Sequence, residues 1–283
     1  MRAGLVALVL ICSSFPCSAW WGDGHAVLTR AAVAALPAET PEFLRGGADL
    51  AVHCAYDPDL IKNRAVPHLS DAEHPEHYLD VELLEGAALP ATRYEFVALC
   101  ARLNQSPSKV GLLPYATVEW TERLTMALAE HRRWPENEAV RAKALVYAGI
   151  LSHYAADLTQ PLHTTIHFDG RVGADGKLPH SGVHEKVDAL VERAGLAPAD
   201  LAEQVEVKAY DDAMAAIQAA LETTHAQVDR VYELEAELGD VTHPEVAAFT
   251  ADRARAAVAL TASLYLTAWR QSETVRLPGW LHR

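Results

Sequence analysis

The run Ala148 to Leu158, "AGILSHYAADL", restricts more than any other stretch how this 283-residue chain can fold. It reads as a helix apolar enough to belong in a core. Yet it carries His153 and Asp157, four residues apart and therefore on one helical face. Polar groups in such a setting are costly unless something partners them. A hydrogen bond between the two would do so, and so would a cation chelated by both. The run then reaches Pro161, which stops the helix beside another histidine, His163.

The rest of the chain is patterned for helices. "GHAVLTRAAVAAL" has apolar residues at helical spacing with Pro37 just beyond, and "PEFLRGGADLAVHCAY" reads as a second, shorter helix. Residues 57–90 break the pattern with prolines, histidines and acidic residues, the kind of long irregular segment that often carries function. "YEFVALCARL", "YATVEWTERLTMALAEHRRW" and "ENEAVRAKALVYAGILSHYAADL" follow as helices, and a Gly/Asp-rich loop spans 164–182. "VHEKVDALVERA", "VKAYDDAMAAIQAALETTHAQVDRVYELEAEL" and "HPEVAAFTADRARAAVALTASLYLTAWRQS" complete the set. No strand pattern, repeat or linker interrupts it, so the expectation is one all-α domain over residues 20–283.

The first nineteen residues are read separately. Arg2, an apolar run from Leu5 to Ile11 and small residues up to Ala19 have the layout of a secretory signal peptide cleaved before Trp20. A lipoprotein reading centred on Cys17 is disfavoured by Pro16. The protein is expected to be secreted or periplasmic. Cleavage leaves Cys54 and Cys100, which an oxidising compartment would allow to form a disulfide. A net charge of −14 rules out holding a polyanion by a basic patch. A phosphate-bearing substrate would need bound cations.

The chain has 14 histidines, and four of them begin a His-x-x-x-Asp pair: His53/Asp57, His153/Asp157, His184/Asp188 and His225/Asp229. His225 lies in a charged amphipathic helix and reads as surface. His153 lies in an apolar helix, His163 follows a helix end, and His184 opens a helix after the Gly-rich loop. Three such clusters close in sequence suggest a multinuclear site, and imidazole with carboxylate but no thiolate suits zinc. At the mature N-terminus, a free Trp20 amine, its carbonyl and His25 could chelate a further ion.

These motifs, "WWGDGH" at 20–25, "HYLD" at 77–80, "SHYAADLTQPLH" at 152–163 and "HEKVD" at 184–188, come in a known order. They resemble the trinuclear zinc phosphodiesterases: the single-strand nucleases of the nuclease S-one/P-one type and, in the same superfamily, bacterial zinc-dependent phospholipase C. The resemblance implies three zinc ions. Trp20 and His25 would hold one; Asp59, His77 and His153 a second, with Asp157 bridging the two; His163, His184 and Asp188 the third. Asp59 fits the nuclease pattern better than Asp57 because Lys62 follows three residues on. Asp157 and Asp59 would be catalytic, supporting a zinc-activated hydroxide that needs no Ser–His or Cys–His nucleophile. Tyr78 would stack on a base and Asp80 hydrogen-bond it, with Lys62 also touching substrate. Tyr78 as a core aromatic and Asp80 as a carboxylate orienting a ligand remain open. His68, His74, His167 and His180 match no ligand position.

The short spacer between Trp20 and His25 and the "DLTQPLH" run resemble the nuclease branch, which implies a nuclease or 3′-nucleotidase, with single-stranded nucleic acid or a nucleotide as substrate and no stable protein partner. The alternatives are a phospholipase C acting on phosphatidylcholine-type lipids and a non-catalytic zinc-binding protein. Metal-dependent HD-type phosphohydrolases are excluded, because the chain has no His-Asp dipeptide.

Overall fold

The apolar run around His153 becomes the inner helix of an all-α protein. The computed structural model describes residues 20–282; the expected signal peptide, residues 1–19, lies outside them. The chain opens with α1 (Gly22–Ala34), α2 (Glu42–Gly46) and α3 (Ala48–Cys54). Short elements follow: α4 (Asp57–Ile61), α5 (Pro67–Glu73), two 3-10 turns at His74–His77 and Val81–Leu84, α6 (Arg93–Arg102) and α7 (Pro107–Val110). The long helices α8 (Leu113–Arg133) and α9 (Glu138–Asp157) come next, and a 3-10 turn at Pro161–Thr164 ends that pair. After the Gly-rich loop come α10 (Val183–Asp188), α11 (Leu190–Ala194), α12 (Pro198–Glu203), α13 (Ala213–His225), α14 (Val228–Glu233) and α15 (Pro244–Gln271). No strand occurs among the described residues, and none of their helices is long and apolar enough to cross a membrane.

Helix α9 sits in the middle, packed by α8, α3, α15 and α1. Its backbone and small hydroxyls are used as fixing points. Tyr265 Oη on α15 donates to the Ala148 carbonyl at 2.6 Å, Trp20 Nε1 donates to the Ala156 carbonyl at 3.2 Å, and Thr29 on α1 pairs with Ser152 at 2.7 Å. These bonds satisfy groups that burial would otherwise leave costly. They also fix the rotation of α9 and thus the direction in which His153 and Asp157 point.

Several sequence expectations are corrected. The helix expected over residues 41–56 parts into α2 and α3 at Gly47, where adjacent glycines weaken helical propensity. The helix expected from Val207 starts only at Ala213, where Asp212 caps it by accepting from Ala215 N at 3.0 Å. Residues before it run extended against α15, whose Ser263 and Thr267 hydroxyls accept from the Lys208 and Tyr210 amides. Segment 57–90 is a succession of short helices rather than a loop. Cys54 and Cys100 form no disulfide: each is a free, buried thiol, Cys54 facing α9 and Cys100 in the core beneath α6.

Close approach of α3 and α9 depends on Gly149. A Cβ there would stand 2.3 Å from the Ala51 carbonyl oxygen and 2.8 Å from Cys54 Cβ. Gly149→Ala is therefore expected to destabilise the protein by about 1–3 kcal/mol through overpacking, measured by denaturant unfolding. An unchanged or raised midpoint would contradict this packing.

Candidate metal centre

The ends of four elements meet around the last turn of α9. His25 comes from the first turn of α1, His77 from the end of a 3-10 turn, His153 and Asp157 from α9, and His163 from the turn after Pro161. All are buried, and Asp157 lies at their centre. Asp157 Oδ1 is 3.3 Å from His25 Nε2; its Oδ2 is 3.0 Å from His77 Nδ1 and 3.4 Å from His153 Nε2. The His25 and His153 rings stack with centroids 4.0 Å apart. Two further carboxylates flank this cluster. Asp59 on α4 lies 3.8 Å from His153 Nε2 and is paired with Lys62 at 2.6 Å. Asp188 on α10 lies 3.3 Å from His184 Nε2 and accepts from Gln160 Nε2 at 2.6 Å.

The extended backbone after His77 is pinned from both sides. Leu79 N donates to the His163 carbonyl at 2.9 Å, and Leu79 forms an isolated bridge with Gly111. At Gly111 φ is +98°, and a Cβ would fall 2.0 Å from the Tyr78 carbonyl oxygen, so only glycine fits. This pairing places Tyr78 and Asp80 beside the histidines. Tyr78 is held by donating its hydroxyl to the Ser108 carbonyl at 2.6 Å.

Three groups of side chains have donor atoms close enough to hold a metal ion: His25 with His153 and Asp157; Asp59 with His77 and His153; and His163 with His184 and Asp188. Hydrogen bonding fits this use. His153 Nδ1 donates to the Ala55 carbonyl at 2.8 Å and His163 Nδ1 to the His77 carbonyl at 2.6 Å, which leaves each Nε2 as a lone pair directed inward. His163 Nε2 then faces His184 Nε2 at 3.1 Å, and His153 Nε2 faces His77 Nδ1 at 3.1 Å. Facing imidazole nitrogens repel unless a proton or a cation lies between them. Buried His25, His77, His184 and Asp157 likewise keep polar atoms with no hydrogen-bond partner in the protein. The donor set, nitrogen and carboxylate oxygen without sulfur, suits zinc.

Burial dominates the protonation of three of the histidines, whereas His153 is raised above the ordinary value, burial lowering it but Asp157 and Asp59 outweighing that. Burial lowers the pKa of His25, with His153 adding to the effect, lowers His163 to about 4 and holds His184 well below the usual range. Neutral imidazole, the ligating form, is thereby favoured. Asp157 is held well below the usual carboxylate range because His153 and its neighbours outweigh burial, and Asp59 is lowered to about 2 by His153 and Lys62 against burial. Asp188, where burial prevails, is raised well above the ordinary value.

Beside the cluster lies a cleft of about 580 Å³. Lys62, His77, His163 and His184 form its polar end, Tyr78 and Asp80 one side, and Ile166, Phe168 and Val172 from the Gly-rich loop an apolar wall. Burial and nearby Glu82 push Asp80 up to about 7. Asp59, not Asp57, is gathered with the histidines; Asp57 faces a separate cavity. Trp20 is buried, with its indole on α9 and its neighbour Trp21 N donating to the Asp188 carbonyl at 3.1 Å. His225 is not a plain surface residue, for its Nδ1 donates to the Thr164 carbonyl at 2.9 Å and props the turn that carries His163. Sequence reasoning also passed over Glu73, four residues before His77 and 3.3 Å from its Nε2. That Glu-x-x-x-His spacing was visible in the sequence.

No known protein family matches the sequence, and no curated protein does. Among solved structures, the alpha-toxin of Clostridium absonum is similar over 91% of this chain and 67% of its own, at 12% identity and a TM-score of 0.43. An alpha-toxin of Clostridium perfringens from avian strain SWCP is similar over 89% of this chain and 64% of its own, at 11% identity and a TM-score of 0.38. The chain thus spans about two thirds of the length of these toxins.

The lowered histidines tie stability to pH. The unfolded chain takes up a proton at His163 near pH 6.5, whereas the folded one resists until about 4. This contribution to stability is whole above pH 6.5 and is lost as pH falls toward 4. In chelator-treated protein, the stability difference between wild type and His163→Gln should therefore shift by on the order of 1–3 kcal/mol between pH 7.5 and 4.5. Denaturant unfolding at the two pH values measures it, and a constant difference would refute the assignment.

Proposed function

We propose that the chain is an exported, zinc-dependent phosphodiester hydrolase acting on single-stranded nucleic acid or nucleotides. The observation that carries this reading is the convergence of three His/Asp groups beside one cleft, with facing imidazole lone pairs. His25, with the amine and carbonyl of Trp20 freed by cleavage before it, would hold one ion. Asp59, His77 and His153 would hold a second, Asp157 would lie between these two, and His163, His184 and Asp188 would hold a third. Bound zinc would supply positive charge to a phosphoryl group and acidify a water toward a pKa of ~7.

The chain's own groups set the geometry of the reaction. Asp157, kept ionised, balances positive charge at the centre of the cluster, and Asp59 does so at its cleft side. Lys62 is held against Asp59 at the polar end of the cleft, where its ammonium can neutralise a phosphoryl oxygen. The Ile166–Phe168–Val172 wall keeps water away from the rest of the substrate. Tyr78, fixed by Ser108, offers a face on which a base can stack, worth roughly 1–3 kcal/mol. Asp80, with a pKa near 7, can accept from a base edge as a carboxylate or donate to it as an acid.

A second reading, a phospholipid substrate, is favoured by one feature. Val66 and Leu69 are exposed on the segment joining two residues of the cleft, Lys62 and His74.

Zinc-loaded protein beginning at Trp20 should cleave single-stranded DNA and RNA, lose this after chelation, and leave phosphatidylcholine intact. His153→Ala and Asp157→Asn should each lower the rate by more than ~100-fold, beyond what loss of an outer hydrogen-bond partner costs. Cleavage of lipid alone would overturn the substrate, and no zinc-dependent hydrolysis of any of the three would overturn the reading. Base preference provides a separate test. The ratio of rates on different homopolymers should change between pH 6 and 8 in the wild type and stay flat in Asp80→Asn; equal pH profiles would remove Asp80 from base recognition.

A further inference from the structure

The imidazole of His77 faces a buried carboxylate on the side away from the cluster. Its Nδ1 faces inward, 3.0 Å from Asp157 Oδ2 and 3.1 Å from His153 Nε2. Its Nε2 faces outward, 3.3 Å from Glu73 Oε1 but not aligned for a hydrogen bond, so that buried nitrogen has no other partner. Glu73 is itself almost fully buried at 7% exposure, one helical turn before His77. A buried carboxylate requires partners, and Tyr154 on α9, 2% exposed, donates its hydroxyl to the same Oε1 atom. The Tyr154 ring also packs against the His77 ring, with centroids 5.6 Å apart.

The 3-10 turn that carries His77 is anchored next to this contact. Arg93 donates to both oxygens of Glu76, at 2.5 and 2.9 Å, and to Glu119 on α8 at 2.7 Å. The guanidinium neutralises a second carboxylate that would otherwise crowd Glu73. A turn of four residues has little stability of its own, so these contacts hold its place.

We propose that Glu73, backed by Tyr154, is a positioning residue for the metal centre: it accepts the Nε2 proton of His77 and so presents Nδ1 as the ligating atom. His77 would then differ from His153 and His163, whose Nδ1 protons go to backbone carbonyls and whose Nε2 atoms face inward. The difference follows from where each backbone lies. His153 and His163 have a carbonyl within reach on the outer side, whereas His77 has a carboxylate at the opposite ring nitrogen. A carboxylate in this place also fixes the orientation of the ring toward a cation.

The inference rests on the proposed metal centre, and the tests separate the two. Zinc affinities of wild type, Glu73→Gln and Tyr154→Phe would be measured by chelator competition, together with the melting temperatures of the metal-free proteins. Histidine 15N shifts of the zinc-loaded wild type would identify the coordinating nitrogen. Glu73→Gln preserves shape and a weak acceptor. It should weaken one ion by about tenfold, within the range usual for such partners, while the others and the metal-free melting temperature stay put. Tyr154→Phe should act on the same ion, more weakly. The 15N spectrum should show His77 bound through Nδ1 with its Nε2 proton retained. Binding through Nε2, unchanged affinity in Glu73→Gln, or equal weakening of every ion with a lower metal-free melting temperature would overturn the role of Glu73 alone. A wild type that takes up no zinc would overturn the metal centre and this inference with it.

Discussion

A carboxylate with no access to water, surrounded by imidazoles, is the constraint on which the rest of the structure depends. Asp157 is fully buried on α9, and no solvent screens its charge. Isolated in such a place a carboxylate would take up a proton. Here His153, His163 and His25 reverse that outcome and keep it ionised. The charge can stay in the core only while all of these elements hold their places. This is why the small fixing bonds onto α9 matter. The tyrosine, indole and hydroxyl contacts at Ala148, Ala156 and Ser152 each set one face of the helix, and together they set the direction of Asp157.

Two of the histidines sit on elements unlike those that carry the core. The core is long helices, α8, α9 and α15, whose stability comes from packing along their length. His77 and His163 instead sit on single 3-10 turns, which could not persist unaided. Each is held by polar contacts from its neighbours: Arg93 on Glu76, the His163 carbonyl on Leu79, and His225 on Thr164.

The all-α class and most helix positions were legible because apolar spacing is local and strong along this chain. His153, Asp157 and His163 were legible for the same reason, as polar residues in or just after an apolar helix. His184 and Asp188 were marked by their spacing after the Gly-rich loop and His25 by its place beside the expected mature N-terminus, whereas His77 needed the order of motifs, since nothing local marks it as a neighbour of α9. What stayed hidden was tertiary. The late start of α13 depends on Ser263 and Thr267, more than fifty residues away, capturing backbone amides. His225 shares its His-x-x-x-Asp spacing with His153, and only the fold separates a prop for the Thr164 turn from a member of the cluster. The cysteines show the same limit, because two thiols in a chain with an export-like leader suggest a bond that their separate packing does not make.

The charge of the chain and the chemistry proposed for it are reconciled by scale. A net charge of −14 repels a polyanion at long range, but salt screens that field beyond ~10 Å. What a phosphoryl group meets at the polar end of the cleft is set by the nearest groups: Lys62, the imidazoles and whatever cations they hold. Acidic side chains would allow cations to collect there, so a negative balance is compatible with the anionic substrate proposed. The remainder of the substrate meets Ile166, Phe168, Val172 and Tyr78, which reward any flat or apolar group. Those residues distinguish poorly between a base and a lipid. Asp80, half-buried beside the apolar wall with Lys109 also lining the cleft, is the group there that a polar edge could hydrogen-bond. A base edge would partner that group, and this contact is what supports the nucleic-acid reading proposed for the cleft.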